Sequence, residues 1–374
     1  MTYFYFSATP ISQKIKDATI IRSLEIMADT VSKKYLIISP SWLGDLIMSQ
    51  SLLKMLKKLD PLCSIDVYAP KYTLPILDRM EEIDNKIINP FGHGAFDLKK
   101  RYEEGKKLRA GNYDCVIVLP NSLKSALIAL FANIPDRRGF KGESRYFILN
   151  NMRSNKKDFP YMVERYVALA FNKDKVRTAS DLPKFDYPKL VIKKLNESRA
   201  EELNLDFSRK ALVLGCGANY GPAKLWPVEY FAAVSDYWIS NGGMVIGLGS
   251  AKDIPTVEAI YNKLKDESRQ YFINIAGKTN LTEALDIVGQ CTAAVCNDSG
   301  LMHTVAAADI PQLCIFGSTS TNYTPPLSDK AICVESDEKC HPCFERTCKY
   351  GTYACLKGIK PETVIEKLKT LVKI

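Results

Sequence analysis

SPSWLGDLIMSQS, Ser39 to Ser51, joins two different patterns. An apolar run, Tyr35 to Ile38, leads into it, and apolar residues at helical spacing follow it to near Leu59. A strand that reads as buried thus hands over to a helix, the opening of a strand-helix-strand unit. Gly44 suggests a tight turn with close backbone approach, and Asp45 follows it as an acid without a compensating base. An acid in a first helical turn is favoured by the macrodipole. The carboxyl end of a strand is also where open α/β sheets hold their ligands, and we read Asp45 as placed for chemistry.

The same rhythm continues outward. Short apolar runs recur at Ser64, Cys115, Ala211, Met244, Phe272, Ala293, Gln312 and Ala331, most of them separated by stretches of helical periodicity such as Ser122 to Phe131, Val228 to Ser240 and Gly300 to Ala308. Near-continuous apolar strands alternating with helices imply parallel sheets covered on both faces. The alternation breaks between about Ala170 and Arg209, where DLPKFDYPKL (Asp181 to Leu190) reads as an extended linker. The expectation is therefore an α/β chain with two Rossmann-like, doubly wound domains facing each other across a cleft. Their limits are residues 34–185 and 186–360, after an N-terminal extension, 1–33, that lacks the rhythm. Residues 361–374 form a C-terminal helix free to pack back across the cleft toward the N-terminal domain.

With 374 residues, 46% hydrophobic and 25% charged, the chain has the length of two ordinary globular domains. Its most apolar window, SALIALFANI (Ser125 to Ile134), is about half the length of a membrane span, and residues 1–33 do not read as a secretory signal. A cytoplasmic protein is expected. The formal charge of +9 attracts phosphates and anionic lipid, while helix-turn-helix, zinc-finger and RNA-recognition signatures are missing, so nucleic acid is not an expected partner. Seven of the eleven cysteines lie within or beside apolar runs, as reduced core thiols do.

Each candidate site follows a strand. CNDSGLMHTVAAA (Cys296 to Ala308) ends a strand at Asn297, offers Asp298 and Ser299 as caps and Gly300 for close approach, and puts His303 on the first helical turn, a setting suited to a diphosphate. GCGANYGPAKLWP (Gly215 to Pro227) is not a dinucleotide fingerprint, since Tyr220 and Pro222 interrupt it. It offers backbone N–H groups and Lys224 as a mobile positive charge. Gly217 in that loop and Thr279, ahead of the helix at Leu281, complete the donor-side candidates. On the other domain, Asn121, Ser122 and Lys124 begin a helix, and RRGFKGESRYFILN (Arg137 to Asn150) supplies Arg138, Lys141 and Arg145, together a basic surface for an anionic acceptor. Cys340, Cys343, Cys348 and Cys355 are too dense to be core filling; they could hold a structural zinc ion or stay as reduced thiols or disulfides.

SPSWLGDLIMSQS, LPNSLKSALI, MVERYVALA, GPAKLWP and NDSGLMHTVAAA, in this order, resemble the lipopolysaccharide heptosyltransferases, most closely their type II branch. The resemblance runs from about Lys34 to the C-terminus. It implies a GT-B fold, transfer of heptose from ADP-L-glycero-β-D-manno-heptose to the first inner-core heptose with inversion, and no catalytic metal or cofactor. By position it puts the catalytic base on Asp45, the diphosphate lysine on Lys224 and the phosphate-binding turn on Asp298, Ser299, Gly300 and His303. It implies an acceptor, heptosyl-Kdo2-lipid A, that carries phosphates and carboxylates in the inner leaflet, and hence a peripheral contact with the inner membrane. The family's ribose-binding glutamate has no counterpart in Ala251, Lys252 and Asp253. The alternatives are a heptosyltransferase of a different acceptor position and, more remotely, a nicotinamide oxidoreductase, which would need the glycine fingerprint that is missing.

Overall fold

The computed structural model describes residues 32–92 and 94–373; the expected N-terminal extension lies outside them except for Ser32 and Lys33. Strands β1 (Lys34–Ile38), β2 (Ser64–Pro70), β3 (Asn85–Asn89), β4 (Cys115–Val118), β5 (Asp136–Phe140) and β6 (Asn151–Arg153) form one sheet in the order β3-β2-β1-β4-β5-β6. Strands β7 (Ala211–Gly215), β8 (Met244–Gly247), β9 (Phe272–Asn274), β10 (Ala293–Asn297), β11 (Gln312–Phe316) and β12 (Ala331–Glu335) form the second, in the order β12-β11-β10-β7-β8-β9. Every neighbouring pair in both sheets is parallel. The two sheets share one winding, and strand order reverses between β1 and β4 in the first and between β7 and β10 in the second. Such reversals open a crevice at the carboxyl ends of the strands.

The central strands are buried along their length because they are apolar on both faces: Leu36, Val116, Val213 and Val295 are all fully enclosed. Helix α1 (Leu43–Leu59) carries Asp45 in its first turn and Lys57 and Lys58 in its last, charges that suit the dipole at each end. It packs on α2 (Met162–Ala168), and its apolar face closes one core with Ile37, Val67, Phe159 and Val167. In the second domain α3 (Val228–Ser240) covers β7 and β8, and α4 (Leu281–Gly289) and α5 (Gly300–Ala307) flank β10. The C-terminal helix α6 (Pro361–Leu371) lies on α3, β11 and β12, with Val364 and Leu368 in the second domain's core. The expected return of this helix across the cleft is therefore replaced by packing on its own domain, where those two side chains find apolar cover.

The segment 182–196 has no regular structure, yet it is bonded to both domains. Gln50 on α1 donates to the Lys189 carbonyl and accepts from Lys189 N, both at 2.9 Å. Leu190 N donates to Ala307 O and Val191 N to Arg79 O, both at 2.9 Å. Beside it the buried Arg79 guanidinium of the first domain grips Asp286 on α4 of the second through two bonds, 2.9 and 2.6 Å.

Candidate functional site

Each of the four strands at the two reversals is followed by a candidate segment, and those after β1, β7 and β10 meet. Asp45 follows β1, Asn121 and Ser122 follow β4, the loop from Gly217 to Lys224 follows β7, and Asp298 to Gly300 follow β10. The first turn of α1 meets the first turn of α5: a Cβ placed on Gly44 would lie 2.6 Å from Cδ2 of His303, and one on Gly300 would lie 3.2 Å from Cβ of Leu43. Gly44 is thus required by a ring from the opposite domain. Its neighbour Asp45 is half-buried in the same seam and accepts a hydrogen bond from the Tyr166 hydroxyl on α2 at 3.0 Å. Burial raises the Asp45 carboxyl above the ordinary carboxylate value; the Tyr166 bond and the charge of Lys224 oppose this, and Asp298 adds to it. Two of those four influences, Lys224 and Asp298, belong to the other domain, so their charges reach Asp45 across the seam.

Lys224 differs from its expected state. It is not a mobile point charge, because Nζ bonds Asp298 Oδ2 at 2.5 Å with both side chains largely buried. Thr319 Oγ1 donates to the same oxygen at 2.6 Å. The turn before α5 is fixed from below, where Asn297 accepts from Trp226 N at 3.2 Å and donates to Cys216 O at 2.6 Å. Ser299 occupies the cap position of α5 but its hydroxyl forms no capping bond, which corrects the capping role expected of it and leaves that hydroxyl free beside the first helical N–H groups. His303 is buried, and burial pushes its imidazole down to about 4, so at neutral pH it can offer a hydrogen bond but no charge. Gly217 lies against the Asp253 carboxylate, where a Cβ would approach Oδ1 to 2.1 Å. Thr279 is half-buried in the turn between β9 and α4.

On the first domain the expected basic surface is largely internal. Arg138 is buried, paired with Asp136 at 2.7 Å and donating to Ala170 O at 2.7 Å. Arg145 is buried and donates to Pro120 O at 2.6 Å, to Asn121 Oδ1 at 3.2 Å and to Phe140 O. Both arginines answer buried carbonyls, which corrects their assignment to an acceptor surface; Arg145 shapes the Asn121 loop from beneath. Lys141 is exposed over the Tyr146 ring, Asn121 is exposed, and Ser122 caps the helix at Leu123, accepting from Ser125 N. Lys124 is half-buried on that helix.

The cysteine-rich segment forms a wall behind the Lys224 loop. Ala223 N donates to Arg346 O at 3.1 Å, Tyr220 donates to Phe344 O, and His341 Nδ1 lies 2.7 Å from Gly317 O. Burial raises the Cys355 thiol above its ordinary value, and the nearby Cys340, Cys343 and Cys348 add to that. Among the described residues no three His, Cys, Asp or Glu side chains are arranged as metal ligands.

Tyr166, Thr319 and Asn297 were not singled out from sequence. A tyrosine inside the otherwise apolar face of MVERYVALA was the available signal, since a buried hydroxyl requires a partner.

Two doubly wound domains with facing crevices, a carboxylate on one and a lysine and helix start on the other, define a GT-B glycosyltransferase. Residues 101–354 match the profile of glycosyltransferase family 9 (heptosyltransferase), and the chain belongs to that family. It is 48% identical over 345 residues to lipooligosaccharide heptosyltransferase 2 of Haemophilus influenzae, covering 90% of this chain and 98% of that protein. It is 40% identical over 341 residues to lipopolysaccharide heptosyltransferase 2 of Escherichia coli, with 90% and 98% covered. The solved structure of E. coli ADP-heptose LPS heptosyltransferase II superposes with a TM-score of 0.79 at 38% identity, covering 90% of this chain and 98% of that one.

Proposed function

We propose that this enzyme transfers heptose from ADP-L-glycero-β-D-manno-heptose to the first heptose of the lipopolysaccharide inner core, on heptosyl-Kdo2-lipid A, with inversion. The observation that carries the reading is the meeting of Asp45 with Lys224, Asp298 and the start of α5 across one seam. The acceptor hydroxyl oxygen attacks the anomeric carbon, the bond from that carbon to the diphosphate oxygen breaks, and the hydroxyl proton passes to Asp45. A carboxylate whose affinity for protons is raised by burial is the better base for that transfer.

The leaving diphosphate gains negative charge. Lys224, the Ser299 hydroxyl and the N–H groups of Gly300 and its successors supply fixed donors for it. Asp298 serves by holding the ammonium in place, because a carboxylate in direct contact would repel phosphate. Gly217 and Thr279 border the nucleotide side, and Asn121, Ser122, Lys124 and Lys141 border the acceptor side. Chemistry of this kind is complete without a bound metal or cofactor. Among the described residues no helix is long and apolar enough to cross a membrane, and we place the enzyme in the cytoplasm, peripheral at the inner membrane.

The test is turnover of this donor with heptosyl-Kdo2-lipid A. Asp45→Asn is expected to lower kcat roughly 10²–10⁴-fold, and Lys224→Ala to weaken ADP binding as well as turnover. Wild-type rates for Asp45→Asn would remove the base from the mechanism, and no turnover by the wild type would remove the substrate pair.

A further inference from the structure

One edge of the first domain carries side chains that the transfer chemistry leaves unused. Phe147 is 96% exposed, Tyr146 and Phe96 are each 54% exposed, and Leu98 is 49% exposed. Phe96 stands on the loop after β3, Leu98 opens the helix that follows it, and Tyr146 and Phe147 stand on the loop after β5; these segments are fastened to one another. Buried Arg101 donates to Ala95 O at 2.7 Å, to Phe96 O at 2.6 Å and to Lys124 O at 3.1 Å, tying the segment after β3 to the helix start after β4. Glu143 accepts from Leu123 N at 2.8 Å, and with Arg145 beneath it this fastens the loop after β5 to the same helix start.

Charge accompanies the rings. Lys99 and Lys100 are exposed in the first turn of the helix Leu98–Leu108, Lys141 is exposed on the loop after β5, and Lys124 stands on the helix to which both segments are tied. Of the acids there, Asp97 is occupied capping its own helix through Lys100 N, and Glu143 is occupied at Leu123. Large exposed apolar side chains on segments tied to one helix start signal a binding face. Aromatic and aliphatic tips set among lysines match the boundary of an anionic bilayer, where rings enter the headgroup layer and ammonium groups meet lipid phosphates. The edge lies at the carboxyl ends of β3, β4 and β5, the same end of the sheet as Asp45, so a bilayer against it would lie beside the mouth of the cleft.

We propose that this edge, formed by Phe96, Leu98, Lys141, Tyr146 and Phe147, seats the enzyme on an anionic lipid bilayer, letting it meet a glycolipid acceptor without extracting it. The proposal deepens the transferase reading and rests on it for the identity of that acceptor. The experiment is sedimentation of the full chain with vesicles of phosphatidylcholine alone or with added phosphatidylglycerol, comparing wild type with Phe96→Ser/Phe147→Ser, whose exposed positions leave the core untouched. Wild type is expected to pellet with the anionic vesicles only, less so at high salt, and the double variant to bind roughly a hundredfold more weakly. A matching melting temperature verifies that the variant folds, and Phe147→Ser alone repeats the comparison if it does not. Turnover of a deacylated acceptor in solution is expected to be unchanged in the variant, while turnover of acceptor embedded in vesicles falls. Equal binding to both vesicle types, or full binding by the variants, overturns the proposal. A wild type that binds as expected but moves no heptose to either acceptor leaves the lipid surface standing and overturns the transferase reading instead.

Discussion

Gly44→Ala tests the meeting of the two domains most directly. The added methyl would sit 2.6 Å from His303 Cδ2, whereas carbon atoms rest about 3.5–4.0 Å apart, so one side must retreat by roughly 1 Å. Forcing an extra carbon into a packed site costs about 1–3 kcal/mol. Alanine in a helix gains up to about 1 kcal/mol over glycine, but that gain is the same whether the domains are together or apart. The clash exists only when they are together. The substitution should therefore leave the first domain folded and shift the chain toward an open cleft by about 1–2 kcal/mol, which lowers kcat/KM roughly 5–30-fold. The assay is steady-state heptose transfer for wild type, Gly44→Ala, His303→Ala and the double variant. Removing the imidazole should relieve the methyl, so the cycle should show a coupling of about the same 1–2 kcal/mol. Wild-type kcat/KM for Gly44→Ala, or a loss of equal size with and without the ring, would refute the contact.

Other consequences concern the carboxylates. Because Asp45 binds its proton more tightly folded than unfolded, its contribution to stability is present at low pH and lost as pH rises through its raised value. Asp45→Asn is thus expected to melt higher than wild type at neutral pH, with the difference vanishing toward acid in a series of thermal scans. The same raised value places the acid limb of kcat/KM above the ordinary carboxylate range; Tyr166→Phe, which removes a bond favouring the ionised form, should move that limb to still higher pH in a pH-rate profile. Asp286→Ala leaves the Arg79 guanidinium buried without its partner and should destabilise the chain by about 3–5 kcal/mol in denaturant titration, with Asp286→Asn milder.

The sequence made the central strands readable because they are apolar on both faces, and the strand-helix hand-overs at Asp45 and Asp298 were readable for the same reason. Strands β3, β5 and β6 were not anticipated. NKIIN, DRRGF and NMR lie toward the sheet edges, and β5 carries two arginines, a composition that resembles solvent-exposed loop. Arg138 and Arg145 were read as surface charge on that ground, yet each is buried against carbonyls that only the folded chain assembles. Long-range pairing escapes single-sequence reading in general. Lys224 and Asp298 are 74 positions apart, and Tyr166 and Asp45 are 121 apart, so neither bond leaves a local pattern.

The tethered connector between the lobes bears on recombination among relatives. A hybrid that takes one lobe from each of two parents would be joined within 182–196, and the join would pass through backbone groups already matched to Gln50 and Arg79 on one side and to Ala307 and, through Lys193 N, Asp286 on the other. Those four positions therefore travel as a set with the connector. A crossover that separates them would give two sound halves held at the wrong angle.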